Sequence, residues 1–214
     1  ICKMLGEAGY NVQIISSNLE YIRDPVGFPT DLANAIPAIL ISDFFGLDSI
    51  AFGTVLESGY GIGHEHFNDY GGGSHWKFFG TLFESIGIDL SLPTLGISEV
   101  GTTLIGKMSP IASIGQSCIR GSWKHPCRRC WKCFRKDLLS LALSSEEVNS
   151  EEFSNMLNIN EVQIRLSAFP ISHENVITYS LQRLDLKMLP SLKPLSAKLD
   201  MSGELGFLER WYTE

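Results

Sequence analysis

Four cysteines within sixteen residues constrain this chain more than any other feature of its sequence. They follow the pattern Cys118-x8-Cys127-x2-Cys130-x2-Cys133, which contains two overlapping C-x2-C steps. Two thiolates of one such step can bind one face of a tetrahedral ion, with each sulfur about 2.3 Å from the metal, and two more complete the shell. A shell of thiolates alone favours zinc or an iron–sulfur cluster. Because four cysteines leave no open position for water, the pattern predicts a structural zinc rather than a catalytic one.

Other interpretations of the cysteines are an iron–sulfur cluster, buried core thiols or disulfides. Disulfides require an oxidising compartment, and no signal-like apolar run opens the sequence. His125 is a further candidate ligand, although it precedes Pro126 and Cys127 too closely to be preferred. We expect Cys2 not to bind metal, because it lies in a predicted helix far from the other four. A zinc site predicts a reducing, cytoplasmic location.

The cysteine segment is also strongly basic. It holds seven of the seventeen Lys and Arg residues and no acid between positions 117 and 136. Four thiolates on zinc carry a net charge of about −2. Some of these cations therefore offset the site, and others are available to bind a phosphate or a carboxylate. The seven residues are Arg120, Lys124, Arg128, Arg129, Lys132, Arg135 and Lys136.

Composition limits the class of protein around this segment. Hydrophobic residues make up 44% of the 214 residues and charged ones 19%, so a packed core is expected. The net charge of −7 argues against a general nucleic-acid binder. No apolar run reaches the length that crosses a bilayer, so no membrane contact is expected.

Apolar periodicity upstream of the cysteines predicts an α/β fold with a parallel sheet. Ligands of such sheets bind beyond the carboxyl ends of the strands. The glycine-rich segment from Glu57 to His75 directly follows Thr54, at the end of a predicted strand, and so becomes a candidate binding loop; a solvated loop is the alternative. Predicted strands cover 11–16, 49–54 and 88–95, and predicted helices cover 32–45, 76–87, 98–108, 134–143 and 175–186, with a further helix restarting at 150.

This order of elements resembles that of 7-cyano-7-deazaguanine synthases, which belong to the PP-loop ATP pyrophosphatases of the adenine nucleotide alpha hydrolase type. The likeness rests on residues 47–54, on Ser58-Gly59-Tyr60, and on the cysteine spacing followed by Arg135, and it covers about residues 1–143. It implies a Rossmann-like parallel sheet with helices on both faces, followed by a zinc knuckle and a mostly helical extension. The implied domains are 1–116, 117–143 and 144–214.

The resemblance further implies ATP-dependent adenylation of a carboxylate on a deazapurine-like or other substrate. ATP with magnesium would be the cofactor beside structural zinc, a homodimer is possible within the family, and the catalytic residues stay unknown. Tyr60 can stack on a planar base, Glu57 and Glu65 can pair with ring nitrogens, and the arginines can bind a carboxylate. The candidate substrate residues are Glu57, Ser58, Gly59, Tyr60, Arg120 and Arg135, and the candidate cofactor residues are Gly53 and Thr54.

The chain departs from that family in several positions. Its ATP motif, Ser-Gly-Gly-x-Asp-Ser, is absent, and we expect it, with the first strand, upstream of Ile1. Thr30-Asp31 stands where the synthases have Arg-Asn, and Ser98 where they have Lys. We therefore expect the 214 residues alone not to hydrolyse ATP. Alternative functions are a zinc-knuckle module that binds RNA or a phosphorylated partner through residues 120–136, and a catalytically degenerate scaffold.

Overall fold

The computed structural model describes residues 1–19, 35–63, 67–118, 120–144, 150–184, 192, 195 and 202–204. The chain divides into two compact units. The first comprises Ile1–Thr54 and Asn68–Leu95, and the second comprises Val55–Phe67 and Gly96–Glu214. The domain boundaries predicted after residues 116 and 143 both fall within the second unit.

The first unit contains a two-stranded parallel sheet. Strand β1 (Ser49–Ala51) pairs with β2 (Asp89–Ser91) so that Ile50 lies opposite Leu90. Parallel neighbours require a crossover connection, and helix α5 (Ser74–Ser85) lies between the two strands in the sequence. Phe83 of α5 is 1% exposed and packs with Ala35 and Ile88 as the core of this unit. Its elements are α1 (Cys2–Glu7), α2 (Ile36–Leu40), α3 (Ser42–Phe45), β1 (Ser49–Ala51), α5 (Ser74–Ser85) and β2 (Asp89–Ser91).

Two predictions for the first unit need correction. The strand predicted at 11–16 is wrong, because residues 11–18 have no regular structure and Ile14 is 75% exposed. A strand needs a neighbour for its backbone groups, and in the described part of the chain β1 and β2 pair only with each other. The helix predicted at 32–45 begins outside the described residues. Its remainder is two short helices that meet at Ile41 and end, as predicted, at Gly46 with φ of 61°.

The second unit is helical and is built around α7 (Trp131–Leu143), the helix that begins directly after Cys130. Phe134 and Leu138 of α7 pack with Ile177 of α10 (Glu174–Arg183) in one core cluster, and Leu139 packs with Tyr179 in another. The extension predicted after residue 143 is thus part of the same core as the cysteine segment. The elements are α4 (Leu56–Tyr60), α6 (Glu99–Met108), a 3-10 turn (Ala112–Ile114), α7 (Trp131–Leu143), α8 (Ser150–Leu157), α9 (Asn160–Ser167) and α10 (Glu174–Arg183).

Local sequence explains most of these helices. The helix predicted at 98–108 is observed as α6, which begins one residue later, and Ser98 caps it by accepting a hydrogen bond from the Gly101 N–H. The predictions missed α9, and they assigned Leu56–Tyr60 to a glycine-rich loop where the structure has helix α4.

The described part of the protein is a mixed, helix-rich structure with a small parallel sheet. No helix in that part is both long and apolar enough to cross a membrane.

Candidate metal centre and buried charge cluster

The four cysteines predicted to bind metal lie together. Their Sγ atoms are all within 4.8 Å of one another, and those of Cys127 and Cys133 are 3.7 Å apart. A tetrahedron with sulfur about 2.3 Å from its centre has edges of about 3.8 Å. Cys118, Cys130 and Cys133 are buried, Cys127 is half-buried, and none forms a disulfide. The donor set and its spacing fit zinc, which would act here as a structural cross-link.

A tight backbone approach shapes the segment between the first two cysteines. A side chain at Gly121 would collide with the carbonyl oxygen of His125 and lie 2.8 Å from the Cys127 nitrogen. Gln116 holds the same turn, because its side-chain amide donates to the carbonyl of Ser122 at 3.1 Å. His125 is exposed and is not part of the described group of possible ligands, which consists of cysteines only.

The thiols differ in acidity. The Cys127 N–H donates to Cys118 Sγ at 3.3 Å, and this bond lowers the pKa of Cys118 to about 6. Burial raises the pKa of Cys133 instead. Metal ligation requires thiolates, so binding an ion here would be coupled to the release of thiol protons.

The C-terminal helices are tied to the cysteine segment through Glu161 of α9. Its Oε2 accepts a hydrogen bond from Arg120 Nη1 at 2.7 Å, and its Oε1 accepts one from the Trp131 N–H at 3.1 Å. The second bond satisfies a backbone donor at the start of α7, directly after Cys130. The Arg120 guanidinium holds the pKa of Glu161 below its usual range.

A second group of polar residues is buried in the same unit. Glu57 is fully buried, and both of its carboxylate oxygens accept the Glu99 N–H, at 3.0 and 2.9 Å. Asn175 of α10 donates to the same carboxylate at 2.6 Å. Glu57 therefore caps the start of α6. Burial raises the pKa of Glu57 despite these hydrogen bonds.

Glu99 is the carboxylate that contacts the basic residues of this group. Its Oε2 lies 2.9 Å from Arg135 Nη2 and 3.8 Å from His173 Nε2, and its Oε1 lies 3.3 Å from Lys136 Nζ. Burial acts to raise the pKa of Glu99, but the neighbouring cations, Arg135 first, outweigh it and the pKa is lowered. We call this group the buried charge cluster, and it consists of Glu57, Glu99, Arg135, Lys136, His173 and Asn175.

Three atoms of the buried charge cluster have no hydrogen-bond partner in the described structure: Glu99 Oε1, Arg135 Nε and Asn175 Oδ1. Lys136 faces Glu99 Oε1 as an ion pair without hydrogen-bond geometry. A buried polar atom without a partner costs about 1–3 kcal/mol, and such atoms together with perturbed carboxylates are typical of functional sites. Sequence reasoning missed Glu99 and His173, because nothing in their local pattern marks them.

The structure places the other predicted site residues as follows. Ser58 is exposed on α4 and Gly59 is buried, while Tyr60 stacks on Phe67 with ring centres 5.8 Å apart. Gly53 and Thr54 belong to the first unit, where the Thr54 carbonyl accepts a hydrogen bond from Thr94 Oγ1 at 3.0 Å.

Only two of the predicted substrate residues join the buried charge cluster, namely Glu57 and Arg135. Arg120 contacts Glu161 instead, and Glu65 lies outside the described residues. The substrate-binding and cofactor-binding roles of all these residues stay predictions.

The first unit has an open cleft of about 660 Å³ beside α5 and β2. Trp76, Ile88 and Leu90 supply apolar surface, and Lys77 and Asp89 supply charge. None of the residues predicted to bind substrate or cofactor lines it.

Comparison with known proteins gives a family but no function. Neither the curated proteins nor the solved structures contain a match to the chain. One family description matches residues 78–214, well over half of the sequence and including all four clustered cysteines, Glu99 and Arg135. The chain belongs to DUF6395, a family of unknown function.

Proposed function

We propose that Cys118, Cys127, Cys130 and Cys133 hold one structural zinc ion that stabilises the second unit. The observation that carries this proposal is the mutual distance of the four sulfurs, at most 4.8 Å. Zinc at this position cross-links the turn around Gly121 to the first turn of α7. A structural zinc commonly contributes directly to the free energy of folding.

Metal analysis of protein purified without chelator tests this assignment. We expect close to one zinc per chain, and a cobalt-substituted sample should show the strong visible absorption of a tetrahedral thiolate site. Bound iron together with a sulfide-to-iron charge-transfer spectrum would show that the site holds an iron–sulfur cluster instead of zinc. A metal content near zero would refute the metal site altogether.

We propose further that the protein is an ATP-dependent ligase similar to 7-cyano-7-deazaguanine synthases, which activates a carboxylate on a deazapurine-like or other small molecule. The parallel pairing of β1 and β2 around a helical crossover supports a Rossmann-like PP-loop core. The four-cysteine cluster that follows supports the synthase branch of that class. Thiolate zinc also suits a reducing cytoplasm.

The substrate carboxylate in this proposal would be bound by arginine. Arg120 is the more accessible candidate, because 61% of its side chain is exposed although it contacts Glu161. Arg135 is buried against Glu99, so a substrate must displace that carboxylate to reach it. Tyr60, half-buried against the exposed ring of Phe67, offers a face for a planar base.

Pyrophosphate release tests the ligase proposal. The longest natural form of the protein is incubated with ATP, magnesium and a panel of carboxylates that includes deazapurine carboxylates. Carboxylate-dependent release is expected, whereas the 214 residues alone should release none. Absence of release with every carboxylate would refute the ligase and leave the zinc assignment untouched.

Tyr60→Ala tests the substrate site within the same assay. We expect a raised substrate KM with little change in melting temperature. Tyr179→Ala is the contrasting variant, because Tyr179 is 2% exposed and its loss should lower the melting temperature instead. Unchanged substrate binding in Tyr60→Ala would remove Tyr60 from the site.

A further inference from the structure

The structure sorts the seven basic residues of the cysteine segment into two groups. Three contact carboxylates: Arg120 contacts Glu161, and Arg135 and Lys136 contact Glu99. The other four are exposed, namely Lys124, Arg128, Arg129 and Lys132. We call these four residues and the neighbouring Trp123 the basic surface.

The charge of the metal centre does not account for the basic surface. Four thiolates on zinc carry about −2, and this step rests on the proposed zinc site. Lys124, Arg129 and Lys132 pair with no carboxylate in the described part of the chain. These three positive charges exceed the charge of the metal centre before Arg128 is counted, so the basic surface retains an excess of positive charge.

The backbone of the basic surface is strained at two of its cations. Lys124 has φ of 63° and Arg128 has φ of 48°, in the left-handed region where glycine avoids a steric cost. If only the stability of the fold mattered, glycine would be favoured at both positions. Strain of this kind tends to be retained where the side chain has a function.

An aromatic ring lies beside these cations. Trp123 is 37% exposed, and its indole nitrogen donates to the carbonyl of Ile114 at 3.5 Å. The Lys124 ammonium lies 4.6 Å from the centre of a Trp123 ring. An exposed, anchored ring next to cations is the arrangement on which unpaired bases stack while their phosphates contact Lys and Arg.

We propose that the basic surface binds single-stranded nucleic acid. Cations spread over residues 124–132 suit a series of phosphates, and Trp123 suits a base, which a phosphorylated protein does not supply. Because the chain as a whole carries −7, this binding is local and depends strongly on salt.

Binding of labelled oligonucleotides of about twelve uridines or deoxythymidines to the metal-loaded protein tests the proposal. Each phosphate contact on a single strand contributes about 0.7 to the slope of log affinity against log salt. Arg129→Gln/Lys132→Gln should therefore reduce that slope by about 1.4. Trp123→Ala should weaken binding by about 5-fold or more, and Trp123→Phe should retain most of the affinity.

The control variant is Lys107→Gln/Arg165→Gln, which removes the same charge from exposed positions on α6 and α9. Its slope should equal that of the unmodified protein. Metal content is measured for every variant, so that loss of zinc is distinguished from loss of binding.

Three results would overturn the proposal. One is the absence of oligonucleotide binding at low salt by fully metal-loaded protein. Another is an equal loss in the control and the test variants, which would show an effect of net charge only. The third is equally tight binding of a phosphopeptide that is insensitive to Trp123→Ala, which would assign the surface to a phosphorylated protein.

Discussion

Replacing Glu99 by leucine would leave the guanidinium of Arg135 buried without its carboxylate. The two side chains are 6% and 7% exposed, and their charged atoms are 2.9 Å apart. Removing one partner of a buried ion pair costs about 3–5 kcal/mol, because the remaining charge stays desolvated. We expect Glu99→Leu to lower the free energy of unfolding by that amount.

Replacing Arg135, the other partner of the ion pair, should lower the free energy of unfolding by less. In Arg135→Met, Glu99 keeps Lys136 at 3.3 Å and His173 at 3.8 Å. These remaining contacts partly compensate the buried carboxylate, so Arg135→Met should lower the free energy of unfolding by less than Glu99→Leu does. The double variant removes both buried charges and should lie within about 1 kcal/mol of the unmodified protein.

The assay is urea unfolding of zinc-saturated protein followed by tryptophan fluorescence. Trp123 and Trp131 belong to the second unit and report on it. The double-mutant cycle should give a coupling energy of at least about 2 kcal/mol. Additive effects of the two single variants would refute the idea that the pair is energetically coupled, and a larger loss in Arg135→Met would refute the role given to Lys136.

Further predictions concern the metal centre and its support. Cys130→Ala should lower both zinc content and solubility, whereas Cys2→Ser should leave zinc content unchanged; zinc loss in Cys2→Ser would contradict the ligand set. Gly121→Ala should lower the free energy of unfolding by about 1–3 kcal/mol, because the added side chain collides with the backbone. Gly106→Ala meets no atom within 4 Å and should instead stabilise α6 by up to about 1 kcal/mol. Equal melting temperatures of the two variants would contradict this prediction. Glu161→Gln should cost less than about 1 kcal/mol at pH 7, since its ion pair is partly exposed. Because the pKa of Glu161 is lowered on folding, this difference should vanish as pH falls through the folded-state pKa; a difference that persists in acid would show that the charge is not its cause.

Local sequence was sufficient for the elements whose signals are local. Ser98 precedes α6 as its cap, Gly46 ends α3 in the left-handed conformation, and α5, α7 and α10 follow their apolar periodicity closely. The cysteine cluster was predictable for the same reason. Short loops between cysteines limit how far apart the sulfurs can lie, so spacing alone nearly determines a tetrahedral site.

Which charges are buried, and what they contact, depends on how distant parts of the chain pack together. Glu57 was predicted to meet a ligand, yet it caps α6, a helix that begins 42 residues further along the chain. Glu99 lies on α6, Arg135 on α7 and His173 directly before α10, and no local pattern encodes their approach. The apolar run at 11–16 read as a strand but has no partner in the described structure. Strand pairing and buried ion pairs both depend on contacts between distant residues, whereas caps and metal loops depend on neighbours in the sequence.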